Sequence, residues 1–261
     1  MSVAEVNGQR ISFTDHGGDG PAVIFSHGFL MDGSMFDLQV EALKEEFRCV
    51  TWDERGHGGT LAETPFTYWD STDDALGLLT HLGIEQATFA GMSQGGFIAM
   101  RAALRAPERV RALVLIDTQS GLEDPEALPL YLALRDEWVA NGPAAVQDAV
   151  AALIFGPGID TAPWYAKWAA LDRTAFNVPF DALVERDEIT DRLGEITQPT
   201  LIIHGSADAA IPLWRAEQLR DGIPGVRQLV VVEGAGHASN MSQPGPAKQV
   251  NQAMAAFLHS L

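Results

Sequence analysis

The chain has 261 residues, 46 % of them apolar and 20 % charged, which suits one domain with an insertion and a large buried core. Its formal net charge of −18 repels phosphate backbones and anionic lipid surfaces, so the composition argues against nucleic-acid binding and against a polybasic membrane contact. There is one cysteine, Cys49, so no internal disulfide forms; no apolar run reaches about 18 residues, and residues 1–10 lack the apolar stretch of a secretory signal, so a cytoplasmic protein is expected.

Two short strands are predicted at residues 3–6 and 10–16, with Asn7-Gly8 between them as a hairpin turn. Residues 17–21, a Gly-Gly-Asp-Gly-Pro run, then break the chain. From there strands and helices alternate. Strands are expected at 22–26, 48–52, 87–90 and 110–116, and helices at 35–47, 71–82 and 95–106. The strands are short and apolar on both faces, as parallel strands covered by helices should be, and Cys49 sits in one of them as a small apolar residue. Residues 119–192 lose the rhythm. They read as a helical insertion carrying Trp138, Phe155, Trp164, Tyr165, Trp168 and Phe176, interrupted by Gly142-Pro143, Pro163 and Pro179. The alternation returns with strands at 200–204 and 228–232 and helices at 213–219 and 247–258. The expected organisation is an α/β core at 1–118 and 193–261, with a helical lid at 119–192.

Gly91-Met92-Ser93-Gln94-Gly95 follows an apolar strand and opens a helix, the context in which G-x-S-x-G presents a nucleophile. Glycines two residues either side of the serine let the chain turn sharply, and the helix N-terminus favours negative charge beside the hydroxyl. A serine needs a base. Of seven histidines, His237 stands out, in a Gly-rich loop just after a late strand and read as flexible enough to reach the serine. His16, His27, His57, His81, His204 and His259 read as structural. The base needs a carboxylate to hold its tautomer. Asp208 directly follows the strand at 200–204, where open α/β sheets place their sites. Asp117 also follows a strand and is the rival; Asp208 is preferred because it gives the order Ser, Asp, His. The strand at 22–26 runs into His27-Gly28-Phe29, whose turn would aim the Phe29 N–H at a reacting carbonyl. The Gln94 N–H would be the second oxyanion donor.

Together these residues resemble the α/β-hydrolase superfamily over nearly the whole chain, especially its lidded serine esterases, enol-lactonases and cofactor-free perhydrolase-like members. Residues 52–58 (Trp-Asp-Glu-Arg-Gly-His-Gly) look like its D-x-R-G-x-G loop, and Pro107-Glu108-Arg109-Val110 like its P-x-R-V segment. The resemblance implies a mostly parallel eight-stranded sheet with helices on both faces. Ser93 where dehalogenases and epoxide hydrolases carry aspartate disfavours both. Leu30 where perhydrolase-like members tend to carry proline favours hydrolysis. Ala238-Ser239-Asn240, without the tryptophan or proline often found there, suggests a wider pocket on that side.

The expected activity is hydrolysis of a carboxylic ester or lactone through an acyl-enzyme. C–C bond hydrolysis and perhydrolysis are alternatives on the same fold, and a non-enzymatic receptor is the alternative outside it. No spacing indicates a metal site, a P-loop or a dinucleotide fingerprint, so no cofactor is expected. The expected partner is a small-molecule ester or lactone, with homo-oligomer formation left open. Residues 119–192 carry 13 acidic and 5 basic side chains, which suits a neutral substrate better than a multiply anionic one. Trp138, Phe155, Trp164 and Trp168 are the candidate substrate contacts, either pocket wall or lid core.

Overall fold

Strands form where apolar and β-branched residues run together, and a computed structural model, which describes residues 1–261, assembles them into one sheet. β1 (Ser2–Val6) and β2 (Gln9–Asp15) make the expected hairpin, with Asn7 and Gly8 both at positive φ, 49° and 74°. β3 (Ala22–Ser26), β4 (Arg48–Trp52), β5 (Ala87–Met92), β6 (Val110–Ile116), β7 (Thr200–Gly205) and β8 (Val226–Val232) follow. The spatial order is β1-β2-β4-β3-β5-β6-β7-β8; β2 joins β4 antiparallel and every later pairing is parallel.

The pleat divides the core in two. Val23, Phe25, Cys49, Val114 and Ile203 face one side, against α1 (Asp37–Leu43) and α9 (Pro246–His259). Ile24, Val50, Leu113, Leu115 and Ile202 face the other, against α2 (Tyr68–His81), α3 (Gln94–Arg105) and α8 (Trp214–Gly222). Neighbouring strand residues therefore enter different cores, the period-two rule with both faces covered.

Among the element boundaries that differ from the sequence reading, two have a visible local cause. The helix expected at 35–47 is a 3-10 turn (Gly33–Phe36), capped by the Asp32 side chain on Ser34 N–H, followed by the short α1; the Leu43 carbonyl then takes both Glu46 and Phe47 N–H groups and ends it. α2 begins at Tyr68, before the expected residue 71, because Thr67 and Asp70 form a reciprocal capping box.

Four helices lie between β6 and β7: α4 (Leu128–Asn141), α5 (Gln147–Ile154), α6 (Ala162–Ala170) and α7 (Asn177–Val184). They pack over the carboxyl end of the sheet and continue one of its two cores through Trp138, Phe155 and Trp168. No helix is long and apolar enough to cross a membrane.

Candidate active site

Ser93 is the hinge between β5 and α3, with φ 51° and ψ −116°. A non-glycine residue there is strained, and the surroundings must hold it. Thr118 Oγ1 donates to the Ser93 carbonyl at 2.7 Å, and Ser93 N–H donates to the Ile116 carbonyl at 2.9 Å. The end of β6 thus clamps the turn, a role of Thr118 that no sequence motif announced. The glycines are needed for close approach. A Cβ on Gly91 would strike the Gly95 carbonyl, and one on Gly95 would strike the Ser26 carbonyl.

His237 Nε2 lies 3.0 Å from Ser93 Oγ, and its Nδ1 lies 2.8 Å from Asp208 Oδ2. Asp208 Oδ1 accepts from the N–H groups of Ala210 and Ile211 at 2.9 and 2.8 Å. Burial opposes the Asp208 charge, but His237 and these backbone donors hold its pKa below the ordinary carboxylate value. Burial likewise opposes an imidazolium at His237; the Asp208 charge and hydrogen bond, with Asp117 and Glu123 farther off, raise its pKa above 6.5. The three residues lie in loops at the carboxyl ends of β5, β7 and β8.

The loop carrying His237 is packed, contrary to the flexibility its glycines suggested. Ala238 N–H donates to the Phe155 carbonyl at 3.1 Å, and Gly236 meets Gly156 so closely that a Cβ on Gly236 would sit 2.6 Å from the Gly156 Cα. Ser239 and Asn240 are fully buried. They turn toward Asp117 and Gln39, so they do not widen the pocket.

Asp117 makes no hydrogen bond to His237. Its Oδ1 accepts Gly205 N–H at 2.8 Å; its Oδ2 accepts Ser239 N–H at 3.0 Å and Ser239 Oγ–H at 2.7 Å. It therefore ties the end of β7 to the His237 loop. Burial pushes its pKa to about 6, with the nearby Asp208 charge adding to the rise. Asp117→Asn places an amide donor against a backbone or hydroxyl donor. The expected loss is about 1–3 kcal/mol, toward the lower end because the buried charge is relieved. A thermal melt lowered by several degrees checks this, alongside a fall in turnover much smaller than that of Asp208→Asn. Asp117, His204 and Asp208 have donor atoms within 4.8 Å of one another, but each is engaged, His204 Nε2 with the Ile211 carbonyl at 2.8 Å.

Phe29 N–H finds no acceptor in the chain, and Gln94 opens α3, so its N–H is a first-turn donor without an intrahelical carbonyl. The peptide that carries the Phe29 N–H is anchored at its oxygen. His27 is buried, and burial lowers its pKa, so the ring is neutral. Its Nε2 accepts Glu54 N–H at 3.0 Å, which leaves Nδ1 as the donor to the Gly28 carbonyl at 2.8 Å. The Gln94 side chain is held by Tyr68, whose hydroxyl donates to Oε1 at 3.0 Å.

The alpha/beta hydrolase fold signature matches residues 21–244. The chain belongs to the α/β-hydrolase family. It is 28 % identical over 233 residues to 3-oxoadipate enol-lactonase 2 of Acinetobacter baylyi, covering 87 % of this chain and 85 % of that one. It is 28 % identical over 247 residues to the pimeloyl-[acyl-carrier protein] methyl ester esterase of Nitrosomonas europaea, covering 87 % and 92 %. A thermophilic esterase from Thermogutta terrifontis superposes with a TM-score of 0.88 at 27 % identity, covering 100 % of this chain and 99 % of that one.

Over Ser93 and His237 the hydrolase has a chamber of about 90 Å³, walled mainly by apolar side chains from α4, α5, α7 and the Phe29-Leu30 turn. Trp138 is in the wall and stacks on Phe176, with ring centroids 4.8 Å apart. Phe155, Trp164 and Trp168 are not in that wall, which corrects the expectation for three of the four candidate contacts. Phe155 stacks on Trp168, Trp168 Nε1–H donates to the Leu30 carbonyl at 2.8 Å, and Trp164 carries the Lys167 ammonium 4.4 Å from its ring centre. These rings glue α5 and α6 to the sheet. Sequence reasoning missed Tyr131, Leu134 and Arg135, which join Trp138 in the wall. Their spacing along one helix, i, i+3, i+4 and i+7, was the available signal.

Proposed function

We propose that this hydrolase cleaves a neutral carboxylic ester or lactone through an acyl-enzyme, with Ser93 as nucleophile, His237 as general base and Asp208 as its orienting acid. The observation that carries the reading is the continuous hydrogen-bonded line from Asp208 through His237 to a serine hydroxyl on a strained turn, at 2.8 and 3.0 Å. His237 Nε2 takes the Ser93 proton as Oγ attacks the carbonyl carbon. The oxyanion rests on the N–H groups of Phe29 and Gln94, and the Asp208 charge stabilises the imidazolium. His237 then protonates the leaving alkoxide as the C–O bond breaks. Water, deprotonated by the same ring, releases the acid and restores Ser93. In a lactone the leaving alcohol stays tethered to the acyl group.

The helices at residues 128–184 act as the lid of this site. They supply a mostly apolar wall whose one basic side chain, Arg135, is bound to Asp136 at 2.6 Å and to Asp181 at 3.5 Å. No free cation awaits a carboxylate on the substrate, which is why a neutral ester or lactone is preferred here. A small-molecule substrate needs no further partner.

A fluorophosphonate probe tests the reading: one covalent adduct on Ser93, formed more slowly while an excess of ester substrate is present, is expected. A folded protein that stays unlabelled sinks it. The pH profile is a second check. His237 must be neutral to accept the proton, and its pKa lies above 6.5, so the acid limb of kcat/KM should have its midpoint above pH 6.5. A midpoint near pH 5 would contradict the Asp208–His237 coupling.

A further inference from the structure

The chamber over Ser93 is small. Its volume of about 90 Å³ falls well below the roughly 300–1,000 Å³ of most small-molecule sites. Any substrate beyond a short ester must extend out of it. A second cavity of about 400 Å³ lies next to it, between the start of α4 and the loop after Asp208. The two share Glu123, Tyr131, Leu153 and Ala210 as a common wall. The Tyr131 hydroxyl has no hydrogen-bond partner in the chain, and burial pushes its pKa up to about 12, so a neutral ring, held by apolar packing alone, stands between the cavities.

The second cavity has its own chemistry. Leu130 and Trp214 line it and are 51 % and 50 % exposed, large apolar surfaces left in water at a concave site. Glu123, Asp124 and Glu126 line it against one base, Arg215, which stacks 4.1 Å from the Trp214 ring centre. Glu123 is neutralised from behind by the buried Arg186 at 2.8 Å, so Asp124 and Glu126 leave the cavity net negative.

We propose that this second cavity binds the part of the substrate remote from the reacting carbonyl, reached across the Tyr131–Leu153 wall, and that it selects apolar groups with neutral or cationic ends over anionic ones. The inference rests on the ester-hydrolase reading for the word substrate, but the site stands on its own surfaces. Trp214 and Leu130 supply the apolar contact, the two carboxylates exclude anions, and Tyr131 yields to let a chain pass.

Calorimetric titration with octyltrimethylammonium and with octanoate tests the site without any turnover. The cation should bind at least about tenfold tighter than the anion. Trp214→Ala should weaken the cation at least about fivefold, and Leu130→Ser, on the same rim, should act in the same direction. The double variant Asp124→Asn/Glu126→Gln should bring the two probes within about threefold. Equal binding of the two probes by the unaltered protein, or cation binding unmoved within twofold by both rim variants, overturns the proposal. Turnover supplies the second arm. The ratio of kcat/KM for p-nitrophenyl octanoate over p-nitrophenyl acetate, or for octyl acetate over methyl acetate, should fall about tenfold in Trp214→Ala. The series that falls identifies which half of the ester lies in the second cavity, and both ratios unmoved overturns the proposal. Probe binding as expected with no turnover of any ester supports the second cavity and counts against the acyl-enzyme reading instead.

Discussion

On the proposed acyl-enzyme reading, Ser93→Ala is expected to lower ester turnover by about 10⁴-fold or more, because removing the nucleophile of a cooperating unit forfeits nearly all its effect at once. The same change should barely touch stability. The Ser93 hydroxyl has one partner, His237 Nε2, and the backbone bonds that clamp the turn are made by its N–H and carbonyl, which alanine keeps. Losing one hydrogen bond amounts to about 1 kcal/mol, a shift of roughly 2–4 °C in the melt for a domain of this size. Turnover of p-nitrophenyl esters and a calorimetric melt together decide the matter. A variant that still turns over at a tenth of the original rate would show that another residue attacks. A variant that fails to fold would show that the hydroxyl, and not only the backbone, supports the turn.

Asp208→Asn is expected to lower kcat by about 10⁴-fold with little change in KM, the magnitude found where an orienting aspartate is neutralised in place. The asparagine oxygen can still accept the Ala210 and Ile211 N–H groups, so the loop should keep its shape. What changes is the atom facing His237 Nδ1. An amide nitrogen there donates, so the ring presents a bare Nδ1 to it and its N–H to Ser93. That tautomer cannot take the serine proton. The variant also removes the carboxylate that holds the His237 pKa up, so the acid limb of whatever activity remains should move to lower pH. A residual limb at the original pH would mean that Asp117, not Asp208, sets the ring's basicity.

The packing of the His237 loop gives Asp117 a different part from the one its position suggested. Both aspartates follow parallel strands and both face the same loop. One hydrogen-bonds the imidazole directly; the other holds the loop through Ser239 and the end of β7 through Gly205. Positioning of this kind is as demanding as direct contact. A shift of about 1 Å in a reacting group is enough to cost roughly 10²-fold in rate.

Much of this molecule is legible in its one-dimensional order because the rules involved are local. Asn7-Gly8 demands a left-handed turn. The apolar runs of five to seven residues demand covered parallel strands. Gly91 and Gly95 around Ser93 demand a chain that doubles back between a strand and a helix. Each depends on a handful of consecutive residues, so the sheet, the sharp turn and the three candidate loops can be read without coordinates. The start of α2 was legible too, in Thr67 and Asp70, although hydrophobic spacing alone put it later.

Tertiary structure alone decided what depends on distances between segments far apart in the chain. Asp208 and Asp117 sit at the ends of neighbouring strands, and only the register of β6 against β7 and the path of the β8 loop determine which carboxylate reaches His237. The aromatic residues of the helical segment are equally ambiguous: Trp138 and Trp168 are both fully buried, yet one walls the chamber and the other bonds to Leu30. Which face of a helix becomes wall and which becomes core follows from how α4, α5 and α6 pack on one another, and that packing energy is spread over many distant contacts that no short stretch of sequence encodes.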